Sequence, residues 1–467
     1  MLATQLAALV DDAPAGTSEA LDLVSGFDAC LVSGLGRLSD DGAAALSALA
    51  AGVAVTPLGE RAAEAAAKLA AGSVSDEQLT VLAAARSALL GAVHDGLLDR
   101  ADAALGRTRA EWVAASAAVD APRNLLEGCR TWLRELAITG WRGVDHDLVS
   151  SSSQVLEAML RPPEVTQPRL RRLAVLIDGL VAELRAAAPI ATMADLPERR
   201  WADLWSRAML LCQVGDWPSG APETVSGRFL LLGVDVHEHA TVVQLQVHGL
   251  LETRGEGAPR LVRTSLAAAK VDTIVGPAIW ALFDAHPVLL AALADRRAVE
   301  FTDVTLLASG DLLWADDRVA LSDPADPFVT ARLQLPGATA PAVPPLDRHP
   351  VRLGEPVLVE GYTVDGECLV LDGHRLALHL DRLPALGPLT PELVTGSTAC
   401  LGLLRWDAGR WALQPLAISA TVKRKPVPRH VGDWASGVTD PKVAKAVKAA
   451  GDPVAVLRER AGRLLRR

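Results

Sequence analysis

Aromatic residues are scarce in this chain: Phe, Trp and Tyr together make up 4% of 467 residues, and there is a single tyrosine. Its cores must therefore be built from Ala, Leu and Val around a few tryptophan anchors. Nucleobases and sugars, which want aromatic platforms, are disfavoured as ligands of the molecule as a whole. Cysteine is also thin. Cys30, Cys129, Cys212, Cys368 and Cys400 are widely dispersed with no CxxC or CxH pair, which argues for buried free thiols in a reducing compartment.

The signatures of several large function classes are missing. There is no G-x-x-x-x-G-K-[ST] loop, which disfavours P-loop ATP hydrolysis, and neither a G-x-S-x-G elbow nor a D-x-D-x-D-G calcium loop is present. Gly34-x-Gly36 lacks the third glycine and the preceding strand of a dinucleotide fingerprint. No uninterrupted apolar run approaches the roughly 20 residues of a membrane span, and the N-terminus lacks the basic region of a signal peptide. A cytoplasmic globular protein is expected, with no cofactor and no catalytic residue assigned.

Half of the residues are apolar, enough for two to four domains with their own cores. The net charge of −10 is unevenly placed: residues 423–467 carry 12 Lys and Arg against 4 Asp and Glu, leaving an acidic body and a basic tail.

The hydrophobic period changes once along the chain. Up to Cys212 it is helical, with a long stripe after Ser75, which forms a capping box with Gln78. Asp195–Cys212 is the seam, a helix capped by Asp195 with Trp201 and Trp205 one turn apart. Beyond it the period is two, with strands at Phe229–Val236, Thr241–Leu251, Arg260–Thr264, Ala298–Leu307, Asp311–Trp314 and Phe328–Leu335, and a helical interlude over Leu266–Ala294.

The expected fold class is a multi-domain α+β protein. It comprises an all-α domain at 1–212, a mixed α+β domain with a mostly antiparallel sheet at 213–336, and a Pro/Ala linker at 337–346. A small OB-like β-barrel at 347–422 and a basic tail at 423–467 with a terminal helix complete it.

The sharpest polar cluster is Asp235-Val-His237-Glu-His239. At period two Asp235, His237 and His239 share one face, and a cross-strand His248 would complete a metal site. Residues beside a hairpin turn are more often polar because they face solvent, so metal binding ranks low. Asp145-His146-Asp147 reads more simply as a helix cap. The barrel offers Tyr362, Trp406 and Trp411 as base-stacking candidates, but Val351–Val422 holds 5 Arg against 8 Asp and Glu, the wrong sign for a phosphate-tracking groove. The tail helix sets Val454, Val456, Leu457 and Ala461 opposite Arg458, Arg460 and Arg463.

The Ala/Leu-rich helical half, the Arg200-Trp-Ala-Asp-Leu-Trp205 seam and the strand Trp411-Ala-Leu-Gln-Pro-Leu416 resemble auxiliary proteins of high-GC actinobacteria. Those are encoded beside SWIM zinc-finger, MoxR-type AAA ATPase and von Willebrand factor A proteins. The chain lacks the SWIM finger, the ATPase loops and the D-x-S-x-S site, so the resemblance implies a companion and transfers no functional residue.

The expected function is a non-enzymatic adaptor or scaffold whose partners include a MoxR-type ATPase or a von Willebrand factor A protein. Trp201, Trp205 and Trp434 would be anchors, and Arg458 and Arg463 contacts. The first alternative is a nucleic-acid-associated protein using barrel and tail; the second is a metal-dependent enzyme at Asp235, His237 and His239.

Overall fold

The computed structural model describes residues 1–10, 13–117, 122–160, 167–213, 217–255, 257–422 and 425–464. Helices come first: α1 (Ala3–Val10), α2 (Thr17–Ser33), α3 (Asp40–Gly52), α4 (Gly59–Ala70) and α5 (Asp76–Leu105). They are followed by α6 (Arg123–Thr139), α7 (His146–Ser151), α8 (Ser153–Met159), α9 (Pro168–Ala187) and α10 (Glu198–Leu211). Three short strands accompany them, β1 (Thr108–Arg109), β2 (Ala115–Ala117) and β3 (Trp217–Ser219).

Helix α5 is the spine of this half. The expected capping box starts it: Ser75 N–H donates to Gln78 Oε1 at 2.8 Å and Gln78 N–H to Ser75 Oγ at 3.4 Å. Gly106, at φ 64, ends it in the left-handed conformation that a side chain resists. α5 alone among the described helices is long and apolar enough to cross a membrane, and 61% of that apolar window is buried within the fold. Leu79, Leu82 and Leu90 pack with α2, α3 and α10, while Leu97 and Leu98, further along, join α1 in the core beneath the sheets. At about 2 kcal/mol per fully buried leucine, this one helix ties both halves together. The expected domain boundary at residue 212 is thus bridged by shared apolar contacts.

The β half opens with β4 (Glu223–Glu238), β5 (Val242–Thr253) and β6 (Arg260–Ala269), then α11 (Pro287–Asp295), β7 (Arg297–Leu306), β8 (Asp311–Leu312) and β9 (Val319–Pro324). Next come α12 (Pro327–Gln334) and β10 (Thr339–Ala340). The strand order is β1-β10-β6-β5-β4-β7-β8, and β8 also pairs with β6 in parallel, so the pairing runs from β4 through β5, β6, β8 and β7 and back to β4. Along β5, Val243, Leu245 and Val247 point into the core, which leaves Gln244, Gln246 and His248 on the outer face.

The second sheet contains β11 (Glu355–Glu360), β12 (Thr363–Asp365), β13 (Cys368–Leu371) and β14 (His374–Leu378), and after α13 (Pro391–Thr395), β15 (Ser397–Asp407), β16 (Arg410–Val422) and β17 (Lys425–His430). Its order is β11-β15-β16-β14-β13-β12, with β17 added to β16; no pairing closes β12 onto β11 among the described residues. α14 (Pro441–Ala450) and α15 (Pro453–Leu464) end the chain. The molecule is mixed α+β, with helices toward the N-terminus and sheets later.

Several sequence expectations are corrected. Phe328–Leu335 is helical, because Asp326 caps it by accepting from Phe328 and Val329 N–H, and Phe328, Ala331 and Leu335 are buried at helical spacing. Leu266–Ala269 continues β6. Residues 337–346 are no free spacer: Thr339–Ala340 pairs with β1 and β6, and Ala338, Ala340 and Ala342 are buried. Helix α10 begins after Pro197 without a side-chain cap, so Asp195 does not cap it.

Candidate functional site

A polar cleft of about 640 Å³ lies where the helical half meets the two sheets. Its floor is the outer face of β4, β5 and β6. The register sets His237, Asp235 and Gly233 beside Gln244, Gln246 and His248, and these beside Ala267, Ser265 and Arg263. One wall is α10, which presents Arg199, Arg200, Asp203 and Arg207. The other is the strap from Pro341 to Glu355, carrying Asp347, His349 and Arg352.

The strap is fixed by ion pairs to the helical half. Arg172 donates to Asp347 at 2.6 Å, Arg348 to Asp95 at 3.0 Å and Arg107 to Glu355 at 2.6 Å. Burial opposes ionisation of Glu355, yet Arg109 and Arg107 bring its carboxyl down to about 2. On the floor, Asp235 is 2% exposed and its oxygens accept from Arg405 Nη2 at 2.6 Å and Gln414 Nε2 at 2.7 Å, both from the second sheet. His237 Nε2 stands 3.0 Å from the same carboxylate. Burial again opposes ionisation, but His237 and Arg405 hold Asp235 well below the usual carboxylate range.

Seven arginines line the cleft, and each is paired with a carboxylate: Arg109 with Asp102 and Glu355, Arg199 with Asp28, Arg200 with Glu183, Arg207 with Asp203, Arg263 with Asp311, Arg352 with Asp347 and Arg405 with Asp235. Most guanidiniums are held by a carboxylate on one edge, as Arg263 is by Asp311 at 2.6 and 3.1 Å. Arg207 is different. It is 8% exposed and its Nη2 donates to Asp203, but Nε and Nη1 are buried with no hydrogen-bond acceptor among the described residues. Arg352, 45% exposed and paired with Asp347 at 3.0 Å, lies in the field of both Arg207 and Arg263, and partial loss of solvent with that like charge lowers its pKa.

The histidines respond in the same sense. Burial, aided by Arg86, Arg207 and Arg352, pushes His349 down to about 4; burial with Arg263 and Arg405 does the same for His248. His349 Nδ1 accepts from Val351 N–H, so in the neutral ring Nε2 carries the hydrogen, and that nitrogen is also buried without a hydrogen bond. The cleft thus gathers guanidinium groups and unmet N–H donors, an arrangement suited to an oxyanion.

The metal expectation is only partly met in space. Asp235, His237 and His248 do share a face, but His239 is exposed at the strand end and Asp235 is committed to Arg405 and Gln414. No group of three metal-capable side chains occurs among the described residues.

The expected anchors Trp201 and Trp205 are 1% and 0% exposed, and their indole N–H groups donate to Glu183 and to the Leu133 carbonyl at 3.0 and 2.9 Å. They are core residues, edge-on to Trp141 and tilted against Phe27 respectively, and are not presented to a partner. Trp434, 8% exposed, packs in the core of the β half and borders a second cavity of about 700 Å³ with Trp280 and Leu290, which has no comparable convergence of polar groups. Arg458 reaches Asp284 at 3.1 Å and the Ala281 carbonyl at 2.8 Å, so the tail helix lies on the chain's own body; the Arg463 side chain is outside the described residues. Tyr362, Trp406 and Trp411 are buried, the last two edge-to-face at 5.3 Å. Asp145 caps α7 by accepting from Leu148 N–H at 2.8 Å.

Sequence reasoning missed Arg207, Arg263, His349 and Arg352. They come from three separate segments, and no local spacing marks them. No family model, curated protein or solved structure matches the chain.

Proposed function

We propose that this chain is a binding protein that takes a small anionic ligand in the junction cleft, and that the ligand fastens the helical half to the two sheets. The observation that carries the reading is Arg207, a buried guanidinium with two donors unmet. A buried donor without a partner costs about 1–3 kcal/mol, and a bound oxyanion removes that cost for both at once.

The fold supports it. Strand order β4-β5-β6-β8-β7, with a helix between the third and fourth strands, is that of an OB-like barrel, whose ligands lie on the face that here forms the cleft floor. We read the second sheet the same way, taking β11 and β12 as one strand broken at Gly361, φ 77.

An adaptor role fits a ligand-fastened junction, and a companion role beside a MoxR-type ATPase or von Willebrand factor A protein is compatible with it. The nucleic-acid alternative has less support, since its stacking candidates are interior and its basic tail is packed on the body. A metal-dependent enzyme has less still, given the commitment of Asp235.

Calorimetric titration with inorganic phosphate and pyrophosphate is the test. The reading expects saturable binding that Arg207→Met abolishes without lowering the melting temperature. Absence of binding, or equal binding by Arg207→Met, rejects it.

A further inference from the structure

The two ends of the cleft differ in chemistry. At one end the cleft is lined by Arg207, held by Asp203, by Arg352, held by Asp347 at 3.0 Å, and by Arg263, held by Asp311 at 2.6 Å, together with His349, whose Nε2 stands 3.6 Å from Asp203. Toward the other end the accessible floor is carboxamide, with the Asp235 carboxylate buried beside Gln246 and held by Arg405: from His248 the β5 face continues through Gln246 to Gln244, which is opposite His237 on β4 and Ala267 on β6. Four residues of strand separate His248 from Gln244, about 13 Å at the usual rise.

Helix α10 lines the cleft with Arg200 and Arg207 two turns apart. Arg200 is itself occupied, its Nε donating to Glu183 at 2.6 Å. The cleft is therefore a guanidinium-lined pocket opening onto a row of carboxamides.

No Phe, Trp or Tyr lines it. Stacking on a ring would fall to the His and Arg side chains alone, whereas the Gln pair offers hydrogen bonds to the uncharged part of a ligand. Gln side chains offer both a donor pair and an acceptor, the combination that matches hydroxyl groups.

Resting on the reading above, we propose that the ligand is a phosphorylated polyol. Its phosphoryl group is held by Arg207, Arg263 and Arg352, and its hydroxylated carbon chain lies along Gln246, Gln244 and His237.

The experiment is a set of calorimetric titrations of the full chain with inorganic phosphate, sorbitol 6-phosphate, sorbitol and AMP, repeated on a Gln244→Leu/Gln246→Leu variant. Two good hydrogen bonds predict that sorbitol 6-phosphate binds about tenfold or more tighter than phosphate, and that the variant loses this gain. Its phosphate affinity stays unchanged, which also shows that it is folded. Phosphate binding with no gain from the polyol overturns this inference and leaves the anion-binding reading standing. AMP binding as tightly as sorbitol 6-phosphate overturns the polyol assignment. Failure of every phosphate compound to bind overturns the anion-binding reading itself.

Discussion

Replacing Asp235 by alanine tests the lock between the two sheets. In the folded chain Arg405 donates to Asp235, to Gln414 and to the Leu353 carbonyl, and it is 7% exposed. Without the carboxylate, a guanidinium stays buried with only neutral acceptors. Gln414 loses the acceptor of its own N–H as well. Removing one member of a buried ion pair costs about 3–5 kcal/mol, and the size of the effect comes from the stranded charge more than from the lost attraction. Asp235→Leu combined with Arg405→Met removes both charges and should recover most of that loss.

Urea denaturation followed by tryptophan fluorescence measures it, comparing the transition of each variant at pH 7. A loss under about 1 kcal/mol for Asp235→Ala, or a double variant no better than the single, would refute the claim that this pair joins the sheets in a dry interior.

Three further outcomes follow from named contacts. His248 and His349 titrate near 4 in the fold against an ordinary value of 6.5; between those values the unfolded chain takes up protons that the folded chain refuses. Stability is therefore full above pH 6.5 and falls toward pH 4, by up to about 3 kcal/mol per histidine, and thermal melts across that range should show it. A bound anion raises both values, so phosphate should lessen the acid loss; a flat profile contradicts the burial of both rings. Trp434→Ala should cost about 3–5 kcal/mol, because the indole is core, where the sequence alone suggested an interaction anchor. Val454 is 1% exposed under α15, so Val454→Asp should release the tail helix and expose residues 453–464 to limited proteolysis, while unchanged cleavage would mean the helix is held otherwise.

Much of the architecture is legible in the sequence because local chemistry and burial agree there. The capping box at Ser75 and the apolar run Cys368–Leu371 between the Asp365-Gly366 and Asp372-Gly373 turns give α5 and β13 directly. Phe328–Leu335 misleads because a run of eight residues is short enough for a strand, although the spacing of Phe328, Ala331 and Leu335 and the Asp326-Pro327 start are those of a helix. Residues 337–346 look like a spacer because proline and alanine carry no pattern, yet small side chains are what allow that segment to slip between β1 and β6. The cleft is the least legible feature. His237 and His248 stand out as a cluster, but the arginines that define its chemistry read singly as ordinary surface charge until α10, β6 and the strap are brought together.

The most direct measurement is the crystal structure of the chain grown with tungstate, a heavy mimic of phosphate whose anomalous signal locates it without interpretation. The account predicts a peak in the cleft within hydrogen-bond distance of Arg207 Nε and Nη1, with Arg352 and Arg263 turned toward it. A well-ordered cleft that stays empty while tungstate binds elsewhere would contradict it.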